Sequence, residues 1–144
     1  MIAVHHSAIC TRDLEVSLRF WRDGMDLAVL MDHEFDGDWP ALFGARGTRL
    51  RAVFLGDPSQ PDTGIVELVS FPDGIDDGEP SSVPATGFFL LSLYVDVEST
   101  LARLAELGLG GEPTLIEQMG VAMATVRDPN GVLVELIDGA RARR

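Results

Sequence analysis

Apolar and polar positions alternate along this chain in short bursts, and the bursts come in the same order twice. Residues 2–11 form an extended run, Ile2-Ala3-Val4-His5-His6-Ser7-Ala8-Ile9-Cys10-Thr11, which reads as a strand. Asp13 follows as an N-cap. Leu14, Leu18 and Trp21 then recur at helical spacing, the apolar stripe of a helix that Gly24 ends. Strands are expected at Leu27 to Met31, Leu50 to Gly56 and Gly64 to Ser70. Residues 32–48 break the periodicity and carry His33, Phe35, Trp39 and Phe43, a long connection suited to lining a pocket or to capping the core.

Residues 71–87 are rich in Pro, Gly, Asp and Ser and show no core pattern, so they read as a linker. The pattern then restarts. A strand is expected from Phe88 to Val95. Asp96 caps a helix whose Val97, Leu101 and Leu104 share a face, and Gly108 ends it. Strands near Thr114 to Glu117, Val121 to Val126 and Val132 to Ile137 complete the set. The order βαβββ, linker, βαβββ reads as a duplication within one compact α+β domain. Its modules are residues 1–70 and 88–138, and residues 139–144, with Arg141-Ala142-Arg143-Arg144, read as a frayed tail.

Two carboxylates stand out against this pattern. Ile65-Val66-Glu67-Leu68-Val69 matches Leu133-Val134-Glu135-Leu136-Ile137 position by position, with Glu at each centre. A bare carboxylate inside such an apolar strand is costly unless a metal ion, an Arg partner or a solvated active site compensates it. For Glu135 the structural alternative is an ion pair with Arg51 or Arg127. The second Glu follows the turn Asp128-Pro129-Asn130-Gly131, in which Pro fixes φ and Gly tolerates a positive one.

Composition narrows the chemistry. A formal net charge of −12 disfavours phosphate-backbone and anionic-membrane partners; it serves solubility first and would favour a cationic ligand. All 11 basic residues are Arg, which removes any Lys-based Schiff-base or general-base mechanism. The single Cys10 makes no internal disulfide, no apolar run approaches a membrane span and no basic leader opens the chain, so the expected address is the cytoplasm.

The motifs His6-Ser7-Ala8-Ile9 with Asp13-Leu14-Glu15 and Phe20-Trp21, Ile65-Val66-Glu67-Leu68, and Asp128-Pro129-Asn130-Gly131 leading to Val134-Glu135-Leu136 together resemble the vicinal oxygen chelate superfamily. Glyoxalase I, extradiol dioxygenases and bleomycin-binding proteins belong to that group, and the resemblance covers nearly the whole chain. It implies two modules forming curved, mixed β-sheets around a central cavity, and commonly a homodimer. It also implies a divalent metal (Mn, Co, Ni, Zn, Mg or Fe) held by residues from the first and last strands of each module. Carried over, His6, Glu67 and Glu135 take three ligand places, and the fourth falls on Leu90 or Phe89, neither of which binds a metal. The missing imidazole weakens an Fe(II) dioxygenase reading. His33 is the better reserve ligand, because His5 is expected on the opposite strand face from His6.

The function so implied is a metal-dependent isomerase, epimerase or lyase acting on a small, oxygenated, enolisable substrate. Glu67 and Glu135 are the catalytic carboxylates, either serving as base or ligand, and Trp39, Phe43, Leu90 and Tyr94 are pocket candidates. Strand parity also turns Cys10 toward the cavity. The alternative is a metal-free, drug-sequestering member of the same fold, for which the acidic charge and the apolar fourth place both argue.

Overall fold

The computed structural model describes residues 1–79 and 82–139, and the chain divides into two compact units, Met1–Gly78 and Glu79–Arg144. The tail expected at Arg141 to Arg144 lies outside the described residues. In the first unit, β1 (His6–Cys10), β2 (Ala28–Asp36), β3 (Arg49–Gly56) and β4 (Ile65–Ser70) form a mixed sheet in the order β1-β4-β3-β2. β1 runs parallel to β4 and the other pairs are antiparallel. The second unit repeats the plan with β5 (Leu91–Val95), β6 (Gly110–Gln118), β7 (Val121–Arg127) and β8 (Leu133–Asp138), in the order β5-β8-β7-β6. The expected α+β fold of two βαβββ modules is what forms, and neither sheet is a closed barrel. Among the described residues no helix is long and apolar enough to cross a membrane.

Each sheet buries one face under its helix. In the first unit α1 (Leu14–Leu18) starts where the Asp13 carboxylate accepts from the Val16 amide at 3.2 Å. It runs on into a π-helical turn, Arg19–Gly24, with the Met25 amide donating to the Phe20 carbonyl at 2.8 Å. That wider turn sinks two successive large side chains, and Phe20 and Trp21 are both 0 % exposed with their rings edge to face. Val53 and Leu55 of β3 and Val66 and Leu68 of β4 are buried with them. Thr11 and Ser17, also buried, hydrogen bond to each other at 2.7 Å, which removes the cost of burying two hydroxyls. In the second unit α3 (Val97–Glu106) is capped by Asp96 and buries Val97, Thr100 and Leu104. Ala124, Val126, Val134 and Leu136 of the sheet are buried too.

The connection between β2 and β3 departs from expectation. β2 continues through Asp36, because β3 is long enough to pair with it as far as Asp36 opposite Arg49. Asp32, Glu34 and Asp36 had disguised this half of the strand as a loop. Asp32 accepts two hydrogen bonds from Arg51, at 2.9 and 2.7 Å, so Arg51 is engaged on its own sheet. A short helix, α2 (Trp39–Phe43), then occupies the stretch expected to be irregular, capped by Asp38 on the Ala41 amide. β6 is likewise longer than the strand expected near Thr114 to Glu117, and β1 begins only at His6.

The turn before β8 is held by one side chain. Asp128, 4 % exposed, accepts from the Asn130 amide at 2.9 Å, the Val132 amide at 2.8 Å and the Asn130 side chain at 3.0 Å. Gly131 supplies the positive φ of 86°. Asp128→Ala leaves those donors without their acceptor, and its expected cost is about 2–3 kcal/mol of unfolding free energy in a urea titration.

Candidate functional site

The parallel pairing of β1 with β4 sets Ala8 opposite Glu67. Alternation then turns His6, Ala8 and Cys10 and, on the neighbouring strand, Glu67 and Val69 to the sheet face away from α1. They floor a cavity of about 780 Å³ that lies within the first unit. Leu50, Ala52 and Phe54 extend the floor from β3, and Met31 and Phe35 add a wall from β2. Trp39 and Phe43 of α2 close one side, and Phe71, Gly74, Ile75 and Asp76 close another.

That last segment is tied down at several points. Arg12 donates to the Ile75 carbonyl at 2.8 Å and pairs with Asp77 at 2.8 Å, while Arg46 pairs with Asp76. Gly47 lets the Asp73 carboxylate lie against the backbone, and a Cβ there would push that side chain aside.

The floor carries the chemistry. His6 Nε2 lies 3.8 Å from Glu67 Oε1, with side chains 38 % and 17 % exposed. Burial raises the proton affinity of Glu67 above that of an ordinary carboxylate, and the neighbouring His6 and His5 only partly offset this. The Cys10 thiol is pushed up by burial and by the negative charge of Glu67, so it is held as a thiol and not as a nucleophilic thiolate. His5 was expected on the opposite face from His6. Because β1 starts at His6, His5 is free of strand alternation; its Nδ1 hydrogen bonds to His6 Nδ1 at 2.8 Å. Either ring can be the donor of that bond.

In the second unit the same register sets Ser92 opposite Glu135. Ser92 therefore corresponds to Ala8, and two residues back Leu90 corresponds to His6. The Ser92 hydroxyl donates to Glu135 Oε1 at 2.8 Å, a partner not foreseen, although strand parity pointed to the position. Tyr94 lies on β5, 63 % exposed. His33 stands edge-on to Phe35 on β2. Arg127 donates to the Gly131 carbonyl at 3.0 Å. Phe54 and Arg46 line the cavity as well. Period-two alternation places Phe54 on the floor, whereas nothing local marked Arg46.

Among the described residues no three His, Cys, Asp or Glu side chains are grouped to hold a metal ion. The first unit supplies a pair. Neighbouring donors about 2.1 Å from one ion stand about 3.0 Å apart in octahedral and about 3.4 Å in tetrahedral geometry, so His6 and Glu67 at 3.8 Å are slightly wide of a ligand pair.

Comparison with known proteins agrees with this architecture. Residues 3–136 match the family described as the Glyoxalase/Bleomycin resistance protein/Dioxygenase superfamily. The lactoylglutathione lyase-like protein terB of Aspergillus terreus is 36 % identical over 149 aligned positions, covering 94 % of this chain and 74 % of that protein. A glyoxalase family protein from Bacillus cereus superposes with a TM-score of 0.76 at 20 % identity, over 96 % of this chain and 94 % of that one. The trypanothione-dependent glyoxalase I of Leishmania major gives 0.67 at 21 % identity, over 99 % and 91 %. At those identities the two structures speak to the fold alone. The duplicated βαβββ order, the paired Glu strands and the match over residues 3–136 agree, and the chain belongs to the Glyoxalase/Bleomycin resistance protein/Dioxygenase superfamily.

Proposed function

We propose that this protein is a glyoxalase-like lyase or isomerase that moves a proton beside the carbonyl of a small oxygenated substrate, with Glu67 as the base. One observation carries the reading: a carboxylate of raised proton affinity stands beside an imidazole on the floor of a largely apolar cavity. A base poised nearer neutrality than an ordinary Glu is what abstraction of a weakly acidic C–H calls for. Glu67 takes the proton, and the C–H electron pair becomes the C=C bond of the enolate while the carbonyl π pair moves to oxygen. Return of the proton at another carbon completes an isomerisation. Expulsion of a β-substituent with its bonding pair completes an elimination. Of the two carboxylates, Glu67 is preferred as base because Glu135 already accepts from Ser92.

His6 would be a ligand of a divalent ion at this edge of the cavity, with Glu67 beside it left free as the base. Bound there, the ion would supply Lewis-acid stabilisation of the enolate oxygen. One imidazole among oxygen donors suits Mn, Co, Ni or Zn. Titration with these ions is expected to raise the melting temperature, by about 2.7 kcal/mol of stability at a hundredfold excess over Kd. His6→Ala should abolish the shift. If no ion shifts the protein, the metal is removed from the proposal.

A second reading, a metal-free binder of small molecules, is favoured by Leu90 at the place equivalent to His6 and by the apolar walls. A binder would hold enolisable ketones without exchanging their α-protons, and that outcome would replace the first reading.

A further inference from the structure

We infer that the substrate of this site is a planar, conjugated hydroxyketone or similar aromatic carbonyl compound without a carboxylate, and not a glutathione adduct. The inference rests on the proton-transfer reading above and names what the pocket would deliver to Glu67.

Two stacked ring pairs border the cavity. Trp39 and Phe43 lie 5.5 Å apart at an interplanar angle of 8°, and His6 lies 5.5 Å from Phe54 at 28°. The indole is fixed: it packs against the cluster of Leu50, Ala52 and Val69, and its Nε1 donates to the Phe35 carbonyl at 3.3 Å. Rigid π faces of this kind favour a flat, unsaturated guest over a flexible peptide. The cavity, about 780 Å³, is in the range that encloses most of a molecule of two or three fused rings. The His6–Glu67 pair is the polar edge on its floor, where a guest lying along Trp39 and Phe43 would present its oxygenated carbon to the base.

Charge disfavours the peptide-like alternative. A glutathione adduct carries two carboxylates against one ammonium, a net negative charge that gains from cationic partners. Among the described lining residues Arg46 is the one guanidinium, and it is shared with Asp76. Glu67 and Asp76 face the same space, and the net charge of −12 adds a repulsive field. An uncharged ring system meets none of these penalties.

The test is titration calorimetry with an acetylnaphthol as the flat hydroxyketone and S-lactoylglutathione as the anionic peptide probe. The acetylnaphthol is expected to bind at least about tenfold more tightly than the thioester. Phe43→Ala, at a residue 60 % exposed and therefore tolerant of change, should weaken it about tenfold. Trp39→Ala should do so more strongly, with its melting temperature checked alongside. Tighter binding of S-lactoylglutathione, no binding of the acetylnaphthol, or binding untouched by Phe43→Ala would each overturn the inference. Tight acetylnaphthol binding without α-proton exchange in the wild type would sink the catalytic reading and leave this one standing.

Discussion

Glu67→Gln is expected to lower kcat/KM for an enolisable ketone by about 100- to 10,000-fold, the usual contribution of a positioned general base. The amide keeps the shape of the side chain and cannot accept the substrate proton. The pH profile of the wild type carries the same information. Activity needs ionised Glu67, so kcat/KM should climb with pH through a limb lying above the ordinary carboxylate range, raised by burial and only partly offset by His6 and His5. The limb should vanish in the variant. Stability runs the other way. Because Glu67 binds its proton more tightly folded than unfolded, its contribution is full below the unfolded pKa and is lost as pH rises through the folded one. At neutral pH the amide is therefore expected to be no less stable than the carboxylate. An inactive but well-folded variant separates chemistry from packing, and a variant of unchanged activity refutes Glu67 as the base.

Trp21→Ala is expected to cost about 3–5 kcal/mol, a large share of the roughly 5–15 kcal/mol that holds a domain together. Trp21 is wholly buried, is packed edge to face on Phe20, and sits in the π-helical turn whose geometry lets both rings enter the core. Its removal leaves a void that no neighbour in the rigid sheet can fill. Urea unfolding should show a lower midpoint with an unchanged slope. A loss under about 1 kcal/mol would mean that the first unit repacks far more freely than its burial implies.

The duplication was readable because each module repeats a signal that local chemistry enforces. Asp13 and Asp96 cap helices of matching apolar spacing, and Glu67 and Glu135 interrupt otherwise apolar strands. These features depend on residues close in sequence. The second half of β2 was hidden because Asp32, Glu34 and Asp36 alternate with His33 and Phe35, and only pairing with β3 shows that such a polar run is a strand. α2 was hidden for a related reason: five residues including Pro40 carry too little periodicity to announce a helix, and its role comes from Trp39 packing on Leu50, Ala52 and Val69.

At the site, His6 and Glu67 could be named from the resemblance, but their closeness depends on the parallel register of two strands far apart in sequence. Arg46 and Asp76 show the limit of sequence reading. Each sits in a stretch without pattern, and only the folded chain makes them one edge of the cavity. His5 misled because alternation was extended one residue beyond the start of the strand.

The most direct test of the account is α-proton exchange. Aromatic methyl ketones, the acetylnaphthol among them, would be incubated with the wild-type protein in deuterated buffer and followed by proton NMR. The account predicts loss of the α-proton signal well above the buffer rate for at least one ketone that binds. Binding without any acceleration would contradict it.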